Sequence, residues 1–444
     1  FSSNAVAICQ SMGLPVQRIE MSTRFLVDND QAISSWPNRD EIVEKYLDRM
    51  TQMVYESSVT TFDTGIQPES VTTIGILENG EHALRDANAQ LGLGMDDWDI
   101  SYYTKLFQRR GRKPTDVELF QVGNANSEHS RHWFFRGIQV IDGVEMPENL
   151  MEIVKAPWKR DPVNSLVAFH DNSGVIRGVE VLAFAPRQPG EPSSFAPVKI
   201  LQHITGTAET HNHPTLIAPF PGAETGSGGR IRDSRAVGQG GLVHAGLAGY
   251  CVGVLEIPGY SIPGEKPHWV PVGYRPNSAS PLAILLKGSD GVSDYGNKIG
   301  EPLIGGFCRS FGQMVNNERR EFRKPVLYSA GFGRINDIHV KKSEPEVGMC
   351  IVRIGGPAYR IGVGGGSASS MIHGTSDADL DFKSVQRGNA EMENRVNRVI
   401  QTCAEMDVKN PIESIHDQGA GGPSNVLTEL MEPAGGRVDI RKII

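Results

Sequence analysis

The chain has 444 residues, 39% of them hydrophobic and 22% charged. At about 150 residues per domain this length fits two to four domains, and the composition excludes a disordered chain. Asp and Glu outnumber Lys and Arg by 52 to 44, a net charge of −8. That excess argues against a duplex nucleic-acid binder, though a few local donors can still hold a phosphorylated small substrate. The least polar stretch, residues 241–260, is broken by His244, Glu256 and Pro258, so no run reaches the roughly 18 apolar residues of a membrane span. The cysteines, Cys9, Cys251, Cys308, Cys350 and Cys403, form no CxxC pair and read as reduced, cytoplasmic usage. The opening FSSNAV has neither Met nor a signal-like region, and RKII closes without a cap. Both ends read as cuts in a longer chain.

Residues 1–80 mix strand and helix signals, with a helix predicted over 40–56. Residues 81–128 are charged and aromatic, with Trp98, Tyr102, Tyr103 and Phe107 before RRGRKP and a helix predicted over 115–122. We read them as a small linker domain whose RRGRK run is a solvated face. From Asn124 onward strand-like runs alternate with glycine-rich loops. Strands are predicted over 179–184, 249–257 and 348–354, and residues 257–276 read as a Pro/Gly-rich surface loop. In the helix predicted over 391–406, Met392, Val396, Val399, Ile400 and Cys403 form one apolar stripe. IESIHDQGAGG follows as a short strand running into a glycine loop. The texture is mixed α and β.

Five segments carry chemistry. NANSEHSRHWFFRG (124–137) sets Glu128, His129, Arg131 and His132 before an aromatic run; HSRH reads either as half a metal site or as surface histidines. ETHNHPTLIAPFP (209–221) would, if extended, put Glu209, His211 and His213 on one face. A carboxylate there suits Mg²⁺ and a near-neutral histidine suits proton transfer; zinc on the H-x-H pair is the rival reading, and a polar loop without chemistry is the plain one. GAETGSGGRIRD (222–233) offers glycine-rich backbone N–H groups for phosphate, Arg230 and Arg232 as charged donors, and Asp233 for a metal. It lacks the Walker pattern. GVGGG (362–366) is another candidate phosphate loop, and HDQGAGG (416–422) puts Asp417 at a strand end; both also read as plain tight turns.

Taken in order, SEHSRHWFF, ETHNHPT, FPGAETGSGGRIRD, SDYGNKIGEP, PAYRIGVGGGSASS, SVQRGNAEME and HDQGAGG resemble the phosphoribosylformylglycinamidine synthase family in its large, single-chain form. The resemblance implies an α+β and α/β fold like the aminoimidazole ribonucleotide synthetases. It divides the chain into part of an N-terminal α+β domain (1–80), a helical linker (81–128), a sheet-forming synthetase subdomain (129–325) and an α/β subdomain (326–444). The implied reaction is an ATP-dependent ligation. The amide oxygen of formylglycinamide ribonucleotide is phosphorylated, and ammonia from glutamine then displaces the phosphate. A second synthetase half and a glutaminase, on the same or a partner chain, are implied partners. No partner nucleic acid or membrane is implied.

Carried over by position, the resemblance makes His129 and His211 catalytic. Asn212, His213, Arg232 and Gln386 become substrate contacts. Glu209, Asp233 and Asp417 become ligands for Mg²⁺. The ATP contacts fall on His132 and on Gly222, Ala223, Glu224, Thr225, Gly226, Ser227, Gly228, Gly229, Arg230, Ile231, Arg232 and Asp233. His132 stands where small-form relatives carry a Tyr, and Thr207 where many carry a Lys. A catalytically silent regulatory relative and another ATP-dependent phosphotransferase of the superfamily are the alternative readings.

Overall fold

The computed structural model describes residues 2–25, 43, 46–48, 50–55, 57–63, 65, 67, 69–127, 129, 132–265, 278–356, 364–370, 378–419, 421–432 and 434–439. Of the helix expected over 40–56, residues 43, 46–48 and 50–55 are described: 43 and 46 are helical, whereas 47, 48 and 50–55 are not. The chain forms two compact units, Phe1–Thr64 and Gly65–Ile444. The first contains helix α1 (Ser2–Ser11) and extended chain, with the Arg18 guanidinium over the Phe62 ring.

In the second unit, α2 (Ile76–Leu91), α3 (Asp97–Arg110) and α4 (Asp116–Ala125) close around Ile76, Leu84, Ile100, Phe107 and Leu119. This core begins at Ile76, ahead of the division expected at residue 81. Reciprocal capping boxes, Asp96 with Asp99 and Thr115 with Glu118, satisfy the first N–H groups of α3 and α4. In the RRGRKP run, Arg112 pairs with Glu118 and Lys113 with Glu78, as expected of a solvated charge run.

Next come α5 (Trp133–Arg136), the hairpin β1 (Val140–Ile141) and β2 (Val144–Glu145), and α6 (Leu150–Arg160). The main sheet then starts with β3 (Ser165–Val167), β4 (Gly174–Pro186) and β5 (Phe195–Thr210). After β5 the chain forms α7 (Asn212–Ile217) and α8 (Pro219–Arg235), then β6 (Leu242–Val252), α9 (Pro281–Ile299) and β7 (Leu303–Ser310). A small hairpin, β8 (Gly312–Val315) with β9 (Glu318–Glu321), precedes β10 (Val326–Asn336). The six strands run β3-β4-β5-β10-β6-β7. All pairs are antiparallel except β6 with β7, which are parallel and joined through α9. β10 stands between β5 and β6, so a division at 325 would cut the sheet; it continues to Asn336.

Helices α8 and α9 cover one face of this sheet. Ala223 and Val292 pack on Ala248, Tyr250 and Leu327. By strand alternation Ile176, Val179, Ile204, Phe307 and Phe332 stand on the other face, where they are exposed. An apolar face this broad is the usual mark of a surface that meets another layer.

Beyond the sheet lie α10 (Gly365–Ser370), α11 (Ala378–Ser384), α12 (Ala390–Glu405) and α13 (Gly422–Met431). The strand expected over 179–184 lies inside β4, and that over 249–257 ends at Val252. The strand expected over 348–354, and the short one before Asp417, are absent among the described residues. A strand needs a neighbour for its N–H and C=O groups; none pairs with 348–354 among the described residues, and Val352 is exposed. Cys350, expected in an apolar run, is therefore exposed, whereas Cys251 is half-buried in β6. Helix α12 matches its expected stripe at Ile400, which is buried, but Val399 faces out.

Segment 222–233, expected as a glycine-rich loop, is helical within α8. Its glycines serve close approach. A Cβ at Gly226 would stand 2.7 Å from His211 Cβ and 3.1 Å from Leu327 Cδ2. Gly226→Ala should therefore cost about 1 kcal/mol net, because overpacking outweighs the gain in helix propensity. Denaturant midpoints check this; a more stable variant would show that the space is not needed.

Candidate active site

Glu209 lies at the end of β5, and the chain leaves the strand at His211. The His211 N–H donates to Leu327 O (3.1 Å), and Asn212 Oδ1 accepts from Leu327 N–H (2.9 Å). These bonds pin the turn to the start of β10 and end the extended segment before His213. Glu209, His211 and His213 consequently do not share a face. His213 is buried in α7, its Nε2 3.5 Å from Asp381 Oδ1, and the H-x-H pair is not presented as two zinc ligands. Asn212, expected as a substrate contact, spends its oxygen on the backbone.

His211 Nδ1 hydrogen-bonds the Gly222 carbonyl, with Thr225 Oγ1 at 3.3 Å. A carbonyl can only accept, so Nδ1 carries the proton and Nε2 keeps the lone pair. Burial, helped by the nearby positive charge of His129, Arg232 and His213, pulls the His211 pKa from 6.5 to about 4. The ring is neutral at pH 7, in the tautomer that suits a base acting through Nε2.

Three carboxylates gather around Asn172 and Arg232. Asn172, from the turn between β3 and β4, donates through Nδ2 to Asp233 Oδ1 (3.2 Å) and Asp417 Oδ1 (2.7 Å). Glu209 hydrogen-bonds Asp233, and burial followed by repulsion from Asp417 and Glu209 pushes Asp233 up to about 9. Glu209 is raised as well, chiefly by burial. Among the described residues no three His, Cys, Asp or Glu side chains stand in a metal-holding arrangement. The donor set is nevertheless oxygen-rich, and its crowding is of the kind a hard divalent cation relieves. Asn172 Oδ1 is buried without a hydrogen-bond partner, one more oxygen available there.

Arg232 sits between Asp417 (Nε to Oδ2, 3.8 Å) and Glu393 (Nη1 to Oε2, 3.7 Å). Both are ion-pair distances rather than hydrogen bonds, and Nε has no hydrogen-bond partner, so its donors remain for a ligand.

The remaining expected positions fare differently. With 222–233 helical, most of its N–H groups serve the helix. Ala223 and Ile231 are core residues, and Arg230 is fully buried against Glu301. Gly222, Ala223, Glu224, Thr225, Gly226, Ser227, Gly228, Gly229, Arg230 and Ile231 therefore form no phosphate cradle; Arg232 and Asp233, near the C-terminal end of α8, reach the carboxylates. His129 is exposed yet close enough to act on His211, and His132 is exposed at the N-cap of α5 with φ 51°. Gln386 is half-buried between α11 and α12. Of GVGGG, residues 364–366 are described: Gly364 leads into α10 and Gly365 and Gly366 are its first residues, ahead of Ser367, whose Oγ bonds Asn124 Oδ1 at 3.3 Å. Sequence reasoning missed Asn172 and Glu393. The polar HDNSG turn ahead of β4 is the signal that could have found the first.

Residues 346–443 match the family model described as AIR synthase related protein, C-terminal domain, and residues 84–132 match the formylglycinamide ribonucleotide amidotransferase linker domain. Phosphoribosylformylglycinamidine synthase of Dictyostelium discoideum is 48% identical over 450 residues, covering 100% of this chain and 33% of that protein. The human protein of the same name is 46% identical over 438 residues, covering 98% of this chain and 32% of that protein. The chain thus spans about a third of the length of the curated relatives it matches. Among solved structures, Thermotoga maritima PurL complexed with FGAR aligns at 22% identity and a TM-score of 0.44, covering 73% of this chain and 40% of that one. That likeness is too slight to carry an argument.

Proposed function

The chain belongs to the phosphoribosylformylglycinamidine synthase family, and from that premise we propose that it contributes a synthetase site for the ATP-dependent conversion of formylglycinamide ribonucleotide to formylglycinamidine ribonucleotide. The observation that carries the reading is the meeting, at one place, of a neutral His211, an Arg232 with unspent donors, and three mutually repelling carboxylates. An amide oxygen is a poor leaving group. Phosphorylation by ATP makes it a good one, ammonia attacks the carbon, and phosphate departs. His211 Nε2 would take a proton as ammonia adds, with His129 as the second histidine. Arg232 holds anionic substrate oxygens. Glu209, Asp233 and Asp417 would hold Mg²⁺, which would supply charge stabilisation at the transferring phosphoryl group.

Glutamine would serve as the ammonia source through a glutaminase elsewhere, and the exposed apolar face of the sheet suits a second synthetase half as partner. Free cysteines fit a reducing compartment such as the cytoplasm.

The test uses the full-length enzyme with ammonia, ATP and formylglycinamide ribonucleotide. Asp233→Asn should raise the Mg²⁺ concentration needed for half-maximal turnover and leave the fold intact. A linked prediction follows from the raised pKa. A carboxyl held at about 9 when folded binds more protons folded than unfolded. Its stabilising contribution is complete below about 4 and is lost as pH rises toward 9. Thermal midpoints without Mg²⁺ should therefore fall between pH 7 and 9. Added Mg²⁺ should reverse the fall, and Asp233→Asn should flatten it. An unchanged Mg²⁺ requirement would remove Asp233 from the metal set.

A further inference from the structure

Glu393 lies in the first turn of α12, 7% exposed, at a junction of α8, α9 and α12. Tyr295 Oη of α9 donates to Glu393 Oε2. Arg235 of α8 donates through Nη1 to the Glu393 carbonyl at 3.1 Å and lies 3.7 Å from Oε1. Arg232, three residues earlier on the same helix, has Nη1 3.7 Å from Oε2. Gly228 leaves the room: a Cβ there would stand 2.9 Å from Tyr295 Oη and 3.3 Å from Glu393 Oε2.

The asymmetry of these contacts is informative. Arg235 is 1% exposed and has Nε and Nη2 without hydrogen-bond partners, so nearby negative charge, from Glu393 first and Glu301 after it, offsets its burial. Arg232 is about a third exposed and is the one arginine of the two whose head can reach a ligand. With Asp417 alone, Arg232 would be drawn onto the carboxylate cluster. Glu393 pulls from the opposite side, and Tyr295 and Arg235 fix Glu393 itself.

We infer that Glu393 is a positioning residue for substrate binding, holding the Arg232 guanidinium off the carboxylate cluster so that its donors face the substrate anion. The inference rests on the reading of Arg232 as a substrate contact. Glu393 itself touches no substrate. Because the arginine contributes binding in ground and transition states alike, its displacement should appear in KM rather than kcat.

The experiment is steady-state kinetics of the full-length enzyme with saturating ATP and ammonia and formylglycinamide ribonucleotide varied. Glu393→Gln keeps an acceptor for Tyr295 Oη while removing the charge. It should raise KM about tenfold with kcat held within about twofold. Tyr295→Phe, which frees Glu393 without changing any charge, should raise KM by a smaller factor, and it decides the matter if Glu393→Gln fails to fold. Arg232→Met should raise KM by at least as much as Glu393→Gln. The double variant Arg232→Met/Glu393→Gln should be no worse than Arg232→Met alone, since both act through one guanidinium. If Arg232→Met raises KM while Glu393→Gln and Tyr295→Phe leave it unchanged, Glu393 is only structural and the inference fails, with the reading of Arg232 intact. Fully multiplicative effects in the double variant overturn it too. If Arg232→Met itself leaves KM unchanged, the substrate contact is wrong and the inference falls with it.

Discussion

Replacing His211 by Ala in the full-length enzyme is expected to lower ammonia-dependent turnover by about 10² or more, the scale of a lost general base. The expectation depends on geometry as well as residue type. The Gly222 carbonyl holds the Nδ1 proton, and burial keeps the ring neutral down to about pH 4. The base form is therefore fully present at neutral pH, and its loss should not be mimicked by mild acidification. His211 also bears on stability. Its folded pKa is depressed from 6.5 to about 4, so the folded state binds fewer protons in that interval. Its contribution is present above pH 6.5 and disappears as pH falls through 4. Turnover of His211→Ala close to that of the unmodified enzyme, with ammonia and Mg²⁺ saturating, would refute the role.

The second large effect concerns stability. Arg230 and Glu301 are fully buried and paired through Nη1 and Nη2 of the guanidinium. Gly246 and Gly331 open the space, since a Cβ at either would stand 2.9 Å or 2.6 Å from the guanidinium. Arg230→Met leaves the Glu301 carboxylate buried and unpaired, which should cost about 3–5 kcal/mol. Arg230→Met/Glu301→Leu should recover much of that loss, because the double change removes both buried charges. Urea unfolding of the three forms checks both parts. A single variant as stable as the parent would mean that water reaches the pair.

Much of the linker and of α12 was legible because their signals are local. Thr115 followed by Glu118 starts α4, and the Met392–Val396–Ile400 spacing marks α12. Helix α8 was not legible. GAETGSGGRIRD has glycines where a free helix would be weakest, and only the sheet, His211 and Tyr295 packed against it make that composition stable. The strand expected over 348–354 failed for the opposite reason, since an apolar run is not a strand without a neighbour. Within the site, Glu209, His211 and Asp233 announced themselves as residue types. Asn172 did not, because its importance lies in partners 61 and 245 residues away. Arg230 and Arg232 look equivalent in sequence, yet one turns into the core and the other to the carboxylates.

Those two separations also show that the cluster is joined from distant parts of the chain. Asp233, on α8, meets Asn172 across 61 residues, and Asp417 meets it across 245. Loop-closure entropy rises only slowly with length, so the longer separation adds little to the cost of the contact. Without Asp417 one wall of the carboxylate cluster is missing, the repulsion among the acids is lower and their hold on a cation weaker. The complete centre therefore depends on a long-range contact, and the amide of Asn172, which donates to both Asp233 and Asp417, ties its two walls together.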